Sequence, residues 1–231
     1  MVLHVVERAL SARNVGRAIV ATDDRRIQDA VLSAGFEAVM TRADHASGSD
    51  RLAEVAASLD GADVIVNLQG DEPLVSPRTI ERAVEELLKD DAAQVVTTSE
   101  TIDEAADVLS PDVVKVVTNA RGRALYFSRS PVPYPRDAVR RHGTLEAALA
   151  AEPSLLATFR KHTGLYVYRR AFLLEYARWP PSALERAESL EQLRALERGA
   201  VIKVIEADSP SIGVDTEEDL ERVRKIFRDG G

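Results

Sequence analysis

Two acidic side chains stand directly after an apolar run in the segment Val64–Pro73, V-I-V-N-L-Q-G-D-E-P. The apolar residues predict a buried strand that stops at Gly70, and Pro73 prevents further ladder pairing after Asp71 and Glu72. In open α/β sheets, ligands bind just beyond the carboxyl ends of strands. The acid pair is therefore a candidate cation site, although a loop with two solvated acids explains the segment equally well.

A second acid of interest lies near the C-terminus, in the run Gly213-Val214-Asp215-Thr216. Two carboxylates brought from distant strand ends can hold one Mg²⁺, which prefers oxygen ligands and leaves room for substrate phosphates. Taken alone, Asp215 is better explained as an ordinary loop acid before a helix. The metal-site hypothesis depends on Asp71 and Asp215 meeting in space, which the sequence alone does not establish.

The first half of the chain alternates strand and helix patterns, as expected for a doubly wound, mostly parallel α/β sheet. Its 231 residues, 45% of them hydrophobic, can bury a substantial core. Helices are predicted at Val2–Leu10, from the capping run Thr22-Asp23-Asp24 to about Ser33, at Gly48–Ser58 and at Ser76–Lys89. Strands are predicted at Arg17–Ala21, Phe36–Thr41, Asp63–Leu68 and Gln94–Ser99.

The pattern becomes less regular after residue 110. A hairpin is predicted for Val113–Asn119 and Arg123–Arg129, and a loop or an excursion from the main domain for Pro131–Lys161. Further predicted elements are a strand at His162–Arg169, an amphipathic helix at Leu184–Arg198, a strand at Val201–Ala207 and a terminal helix after Thr216. We expect one domain, residues 1–231, with an irregular lobe at about residues 120–170.

Composition excludes several classes of protein. The chain has no cysteine, so a disulfide framework and a thiolate metal site are ruled out. No apolar run approaches the ~20 residues of a membrane span, and the N-terminus is not a signal peptide, so we expect a cytoplasmic protein with no membrane partner. The net charge of −8 argues against nucleic acid as a partner.

Eight sequence blocks resemble the 3-deoxy-manno-octulosonate (Kdo) cytidylyltransferase family, in family order across nearly the whole chain. They are I-V-A-T-D at Ile19–Asp23, M-T-R-A-D-H-x-S-G at Met40–Gly48, V-N-L-Q-G-D-E-P at Val66–Pro73, V-K-V-V at Val114–Val117, A-L-Y-F-S-R at Ala124–Arg129, H-x-G-L-Y-x-Y-R at His162–Arg169, E-x-L-E-Q-L-R at Glu188–Arg194 and G-V-D-T-x-E-D-L-E-R-V at Gly213–Val223. The resemblance implies a nucleotide-diphospho-sugar-transferase-like sheet with a smaller β-rich excursion.

The resemblance also implies an activity and a set of site residues. The family transfers CMP from CTP to the eight-carbon sugar acid Kdo and releases pyrophosphate, for lipopolysaccharide synthesis. Positioning and charge neutralisation carry such a reaction. By family analogy, Asp71 and Asp215 hold Mg²⁺ and are the catalytic residues. Motif positions on the nucleotide side are Arg42, Ser47 and Gln69, and those on the sugar side are Arg129, His162, Tyr166, Glu191 and Gln192.

Each of these side chains also has a plain structural explanation. Arg129 could clamp the sugar carboxylate with two parallel hydrogen bonds, or be a surface arginine. His162 and Tyr166 are four residues apart, so a strand places them on one face, where they could contact a polyol or form a half-buried surface. His45 is better explained as a structural loop residue than as a ligand.

One family segment has no counterpart in these 231 residues. Family members open with a buried strand and a loop of the kind A-R-x-x-S-x-R-L-P-G-K, which cradles the triphosphate. This chain begins at a position that resembles the following helix. We therefore expect the first strand to be missing and this truncated form to be weakly active or inactive.

Two other functions remain open at this point. The acceptor could be a related ulosonate, such as a sialic-acid-like sugar or 8-amino-Kdo, or the chain could be a non-catalytic module that binds a sugar acid. The family resemblance also implies a homodimer, with Tyr126, Phe127, Tyr134 and Phe159 as candidate interface residues.

Overall fold

A computed structural model of the protein describes residues 1–45, 47–210, 212–214 and 216–229. The chain divides into two compact units, and each is described by itself. The first unit contains residues 1–91, 165–178 and 207–231, and the second contains residues 92–164 and 179–206.

The first unit alternates helices and strands along residues 1–91. Its elements are α1 (Val2–Leu10), β1 (Ile19–Thr22), α2 (Arg25–Ser33), β2 (Glu37–Met40), α3 (Gly48–Ala57), β3 (Val64–Asn67), α4 (Pro77–Lys89), the second half of β7 (Arg160–Arg169), α8 (Arg170–Tyr176) and α11 (Glu217–Asp229). Strands β1 and β2 are parallel, with Val20 opposite Ala38. Strand β3 is antiparallel to β7, with Val66 opposite Val167.

Helix caps in this unit form where the sequence predicts them. The Asp24 carboxylate accepts from the backbone N–H of Arg26 and begins α2. Gly35, just past the end of α2, has φ of +82°, the left-handed conformation that glycine adopts without steric cost. At α11, Thr216 and Asp219 each accept a hydrogen bond from the other's backbone N–H, at 3.2 and 3.0 Å.

The second unit is built on strands from the middle of the chain. Its elements are β4 (Val95–Thr101), α5 (Ala105–Leu109), β5 (Lys115–Thr118), β6 (Ala124–Ser128), α6 (Arg136–His142), α7 (Leu145–Ala151), a 3₁₀ helix (Pro153–Thr158), the first half of β7, α9 (Ala183–Glu188), α10 (Gln192–Glu197) and β8 (Ile202–Glu206). The strand order is β6-β5-β7-β4-β8. Strands β4 and β8 are parallel, whereas β5 is antiparallel to β6 and β7. The predicted α/β class and the β5–β6 hairpin are confirmed.

For Pro131–Lys161 the sequence predicted a loop or an excursion from the main domain; the segment lies in the second unit and is helical, so only the loop alternative is wrong. This segment forms α6, α7 and the 3₁₀ helix. Leu149 and Phe159 are fully buried with Ile102 and Val108 of the same unit, so they supply the apolar surface that orders the segment. Prolines at the ends of these short elements concealed the helical spacing of Leu145 and Leu149.

The single helix predicted at Leu184–Arg198 is two helices. The chain breaks after α9 at Ser189, whose φ of 52° lies in the left-handed region. The Leu190 N–H donates to the Glu185 carbonyl at 3.2 Å, and α10 then begins at Gln192. No glycine or proline marks the break, so it could not be predicted from the residue types.

Within the part of the chain that the structure describes, no helix has the length and apolar character needed to cross a membrane.

Candidate active site

The carboxyl end of β3 presents the residues of the acidic motif. Strand pairing ends at Asn67, and the Glu72 N–H donates to the Gln69 carbonyl at 3.2 Å, which closes a tight turn through Gly70 and Asp71. Gln69 is exposed and Asp71 is partly buried. The turn therefore holds Asp71 beyond the strand end, as the sequence predicts.

The C-terminal motif meets this turn. The backbone N–H of Val214 donates to the Asp71 carbonyl at 3.0 Å, within the first unit. Asp215, the second predicted metal ligand, lies outside the described residues. The hydrogen bond shows that two acidic motifs, about 140 residues apart in the sequence, come together at one edge.

Tyr166 lies at the same end of β3. It is opposite Asn67 in the β3–β7 pairing, and Asn67 is two residues before Gln69. Its ring stacks on that of Tyr168, with centroids 5.7 Å apart. The first unit thus brings together Gln69, Asp71 and Tyr166 from the set of predicted site residues.

Arg42 lies on the loop between β2 and α3. Its side chain is 70% exposed, and its Nε is 3.5 Å from Asp44 and 3.6 Å from Glu54. His45, whose side chain is 3% exposed, contacts the Glu54 carboxylate, and this hydrogen bond lowers the pKa of Glu54. His45 therefore fixes the loop, in agreement with its expected structural role, and leaves the Arg42 guanidinium at the surface.

Ser47 is the N-cap of α3. Its side chain accepts from the Asp50 N–H at 3.2 Å. The next residue, Gly48, lines the same cavity of the first unit as Gln69 and Gly70. The start of α3 and the end of β3 therefore face a common space.

In the second unit, Arg129 follows β6 and is held by backbone carbonyls. Its Nε donates to the Glu188 carbonyl at 2.7 Å, and its Nη1 donates to the Pro111 carbonyl at 2.9 Å. Its Nη2 is 3.4 Å from the Ser189 carbonyl. These contacts fix the orientation of the guanidinium group.

Glu188 and Lys115 bind the backbone of Arg129. Neither residue was predicted from the sequence to belong to the site. The Glu188 carboxylate accepts from the Arg129 N–H at 2.9 Å and from the Ser128 hydroxyl at 2.7 Å. Burial opposes its ionisation, but these bonds and one from Tyr126 outweigh burial and lower the pKa of Glu188.

Lys115 is completely buried on β5. Its Nζ donates to the carbonyls of Ser110, Val113 and Arg129 at 2.7, 2.6 and 2.6 Å. Burial lowers the pKa of Lys115, and the nearby Glu188 carboxylate offsets part of this effect. The available signal was a lysine flanked by valines in a strand, since a charge there needs partners.

His162 lies on the first half of β7. Its Nε2 is 2.9 Å from the Thr97 hydroxyl, and its ring meets Phe127 edge-on with centroids 5.0 Å apart. Desolvation by burial lowers its pKa to about 3, so the imidazole is neutral at pH 7.

This neutral histidine predicts a pH effect on stability. An unfolded histidine takes up a proton below pH ~6.5, whereas folded His162 does not until about pH 3, so the free energy of unfolding falls as the pH decreases between these values. At pH 4.5, the free energy of unfolding should be about 3 kcal/mol lower than at neutral pH because of His162. Urea denaturation of wild type and His162→Gln between pH 7.5 and 4.5 measures it. The two stability curves should converge toward low pH, and parallel curves would refute the assignment.

Glu191 and Gln192 stand at the start of α10. Gln192 is buried, Glu191 is partly exposed, and the Glu191 carbonyl accepts from the Arg194 N–H at 3.1 Å. Arg194, from the same motif, is buried and lies 3.3 Å from the Glu185 carboxylate. The second unit thus contains four predicted sugar-side residues: Arg129, His162, Glu191 and Gln192.

Metal binding by protein side chains alone is not indicated. In residues 1–45, 47–210, 212–214 and 216–229, no three His, Asp or Glu side chains form a cluster that could hold a metal ion. Mg²⁺, however, is usually held by one or two carboxylates and completed by substrate phosphates and water. The donor set at the β3 end, a carboxylate beyond a strand, fits this kind of site.

Comparisons with known proteins show which family the chain belongs to. The family model described as cytidylyltransferase matches residues 1–206. A 3-deoxy-manno-octulosonate cytidylyltransferase of Trichlorobacter lovleyi is 50% identical over 230 residues, which are 100% of this chain and 89% of the relative. One from Geobacter sulfurreducens is 52% identical over 223 residues, 96% of this chain and 87% of the relative.

A solved structure is similar over the whole chain. The structure of a CMP:2-keto-3-deoxy-manno-octonic acid synthetase complexed with CTP matches with a TM-score of 0.87 and 43% identity, covering 100% of this chain and 88% of that one. The predicted nucleotidyltransferase-like fold is thereby confirmed. The chain belongs to the cytidylyltransferase family, among the 3-deoxy-manno-octulosonate cytidylyltransferases.

Proposed function

We propose that the chain transfers CMP from CTP to Kdo and releases pyrophosphate. The observation that carries this proposal is the hydrogen bond from Val214 to the Asp71 carbonyl, because it joins the two acidic motifs that the reaction needs at one edge. The relatives' names favour Kdo as the acceptor over 8-amino-Kdo, a sialic-acid-like sugar, or binding without transfer.

In the reaction, the anomeric hydroxyl oxygen of the sugar attacks the α-phosphorus of CTP. A new phosphorus–oxygen bond forms, the bond to the β-phosphate breaks with its electron pair on pyrophosphate, and the hydroxyl proton passes to solvent. Asp71 and Asp215 are proposed to hold Mg²⁺. A bound ion would supply charge neutralisation at the α-phosphate and so lower the repulsion between the phosphate and the incoming hydroxyl oxygen.

The remaining residues bind and orient the substrates. Arg42, Ser47 and Gln69 are proposed on the nucleotide side, supported by the common cavity that Gly48 and Gln69 line. On the sugar side, His162, Tyr166, Glu191 and Gln192 offer neutral and acidic groups for sugar hydroxyls.

Arg129 is proposed to bind the sugar carboxylate. Each of its Nη atoms carries two hydrogens, so the pair can present a fork to a carboxylate while its carbonyl contacts hold the group in place.

Replacing Arg129 by lysine tests this role. Arg129→Lys should raise KM for Kdo by about 10-fold or more and leave KM for CTP unchanged, because a single ammonium cannot form two parallel bonds. Steady-state kinetics with each substrate varied in turn give both constants. Arg121→Lys, an exposed arginine in the β5–β6 turn, is the matched control. An unchanged KM for Kdo would remove Arg129 from the sugar site.

The reaction itself is tested with an acceptor panel. CTP and Mg²⁺ are incubated with Kdo, 8-amino-Kdo or N-acetylneuraminic acid, and pyrophosphate release is followed. Release should be fastest with Kdo. Faster release with another sugar would identify a different ulosonate as the substrate, and sugar binding without release would favour the non-catalytic module.

Assembly and location are part of the same proposal. We propose a cytoplasmic homodimer. The exposed fractions of Leu125 and Tyr134, 60% and 61%, support a contact surface on the second unit. Of the interface residues expected from the sequence, Phe127 and Phe159 are instead completely buried within that unit.

A further inference from the structure

A run of polar side chains lies buried in the second half of β4. Thr97, Thr98, Ser99 and Glu100 are each no more than 6% exposed. Strand β4 lies inside the sheet of the second unit, between β7 and β8. Strands buried on both faces are usually apolar, and buried polar groups need hydrogen-bond partners. The partners of these side chains therefore show what the polar run does.

Two threonines of this run contact two successive residues of β7. The Thr97 hydroxyl is 2.9 Å from Nε2 of His162, and the Thr98 hydroxyl contacts the Thr163 hydroxyl. Successive residues of a strand point to opposite faces of the sheet, so the two pairs lie on opposite faces. The face with Thr97 carries His162, a predicted sugar-side residue, and Thr98 is a matched position on the other face.

The ring of His162 is restrained and uncharged. The His162 N–H donates to the Val114 carbonyl at 2.8 Å, and the completely buried Phe127 meets the ring edge-on. Because desolvation keeps the imidazole neutral at pH 7, one ring nitrogen carries a hydrogen and the other is an acceptor. The hydrogen bonds of the ring decide which nitrogen carries the hydrogen.

Packing alone does not require a hydroxyl at position 97. Valine has nearly the same shape as threonine, and both residues favour strands. On the other side of Thr97, its neighbour on β8 is the apolar Val204. Compared with a methyl group, the Thr97 hydroxyl adds hydrogen bonding, and a ring nitrogen of His162 lies within reach of it.

We propose that Thr97 is a positioning residue for sugar binding, whose hydroxyl holds the neutral ring of His162 in one tautomer. His162 then presents one fixed hydrogen-bonding group to a hydroxyl of the sugar acid. Without the Thr97 hydroxyl both tautomers are populated, and only one of them fits the bound sugar. The inference rests on the proposed location of His162 on the sugar side.

Three variants separate the hydroxyl from the packing. Thr97→Val removes the hydroxyl and keeps the shape, Thr97→Ser keeps the hydroxyl, and Thr98→Val removes the hydroxyl on the opposite face. NMR of the imidazole nitrogens, assigned to His162 by their loss in His162→Gln, reports the tautomer. Wild type, Thr97→Ser and Thr98→Val should show one protonated and one unprotonated nitrogen with well separated shifts. In Thr97→Val the two shifts should approach each other, because the tautomers exchange.

Kinetics then connect the tautomer to the sugar. Thr97→Val should raise KM for Kdo by about 10-fold, the value of one hydrogen bond, and leave KM for CTP unchanged. Thr97→Ser and Thr98→Val should keep both constants within about twofold of wild type. A purely structural role of Thr97 would not distinguish the two substrates.

The proposal is overturned if Thr97→Val keeps the wild-type nitrogen shifts or the wild-type KM for Kdo, or if Thr98→Val reproduces both changes. Kdo added to the NMR samples should also move the wild-type His162 signals, and signals that stay in place at saturating Kdo would overturn the contact with sugar. The NMR measurements need no turnover. A failure of CMP transfer would therefore refute the proposed function while these spectra still decide the role of Thr97.

Discussion

Asp71→Asn is expected to lower the rate of CMP transfer by about 100-fold or more, while the fold remains intact. The substitution keeps the size and shape of the side chain but removes the charge that is proposed to bind a divalent cation. Charge stabilisation of this kind is commonly the largest contribution to phosphoryl-transfer catalysis. The rate is measured as pyrophosphate release under saturating CTP and Kdo.

Two further measurements make this prediction specific. Glu72→Gln changes the neighbouring carboxylate of the same motif and should alter the rate by less than about threefold. Binding of Mn²⁺ in the presence of CTP, followed by electron paramagnetic resonance, should weaken in Asp71→Asn and persist in Glu72→Gln. If the two variants behaved alike in both measurements, Asp71 would not be the metal ligand.

Lys115→Met is expected to reduce the free energy of unfolding by about 2–4 kcal/mol. Methionine fills a similar volume but leaves the carbonyls of Ser110, Val113 and Arg129 without their buried donor. It also removes the cation near Glu188. Chemical denaturation with urea measures the change.

The control for Lys115 is an exposed lysine. Lys89→Met on α4 removes ion contacts to Glu85 and Glu86 at 3.5 and 3.4 Å, which should cost no more than about 0.5 kcal/mol. Because Lys115 also binds the Arg129 carbonyl, its loss should raise KM for Kdo with little change in KM for CTP. A Lys115→Met protein as stable as Lys89→Met would contradict the proposed network.

Most strands and helices of residues 1–91 were predictable, because apolar periodicity and end signals agree there. Asp24, Gly35 and Pro77 mark helix boundaries by their own chemistry. The two errors arose where local signals oppose tertiary packing. Ser189 breaks a helical pattern without glycine or proline, and Phe159 orders a segment whose prolines indicated a loop.

The candidate site was only partly predictable. The position of Asp71 follows from a strand that ends at a glycine. Its hydrogen bond with Val214 depends on long-range folding, which residue spacing does not predict. Lys115 and Glu188 were missed because their importance lies in buried contacts with backbone carbonyls and amides.

The most direct test of the central claim is mass-spectrometric detection of the reaction product. The 231-residue chain is incubated overnight with CTP, Kdo and Mg²⁺, so that even slow turnover accumulates product. We predict CMP-Kdo and pyrophosphate in equal amounts, and neither with Asp71→Asn. Absence of CMP-Kdo with the wild-type chain, under conditions where both substrates bind, would contradict the assignment of CMP transfer to this chain.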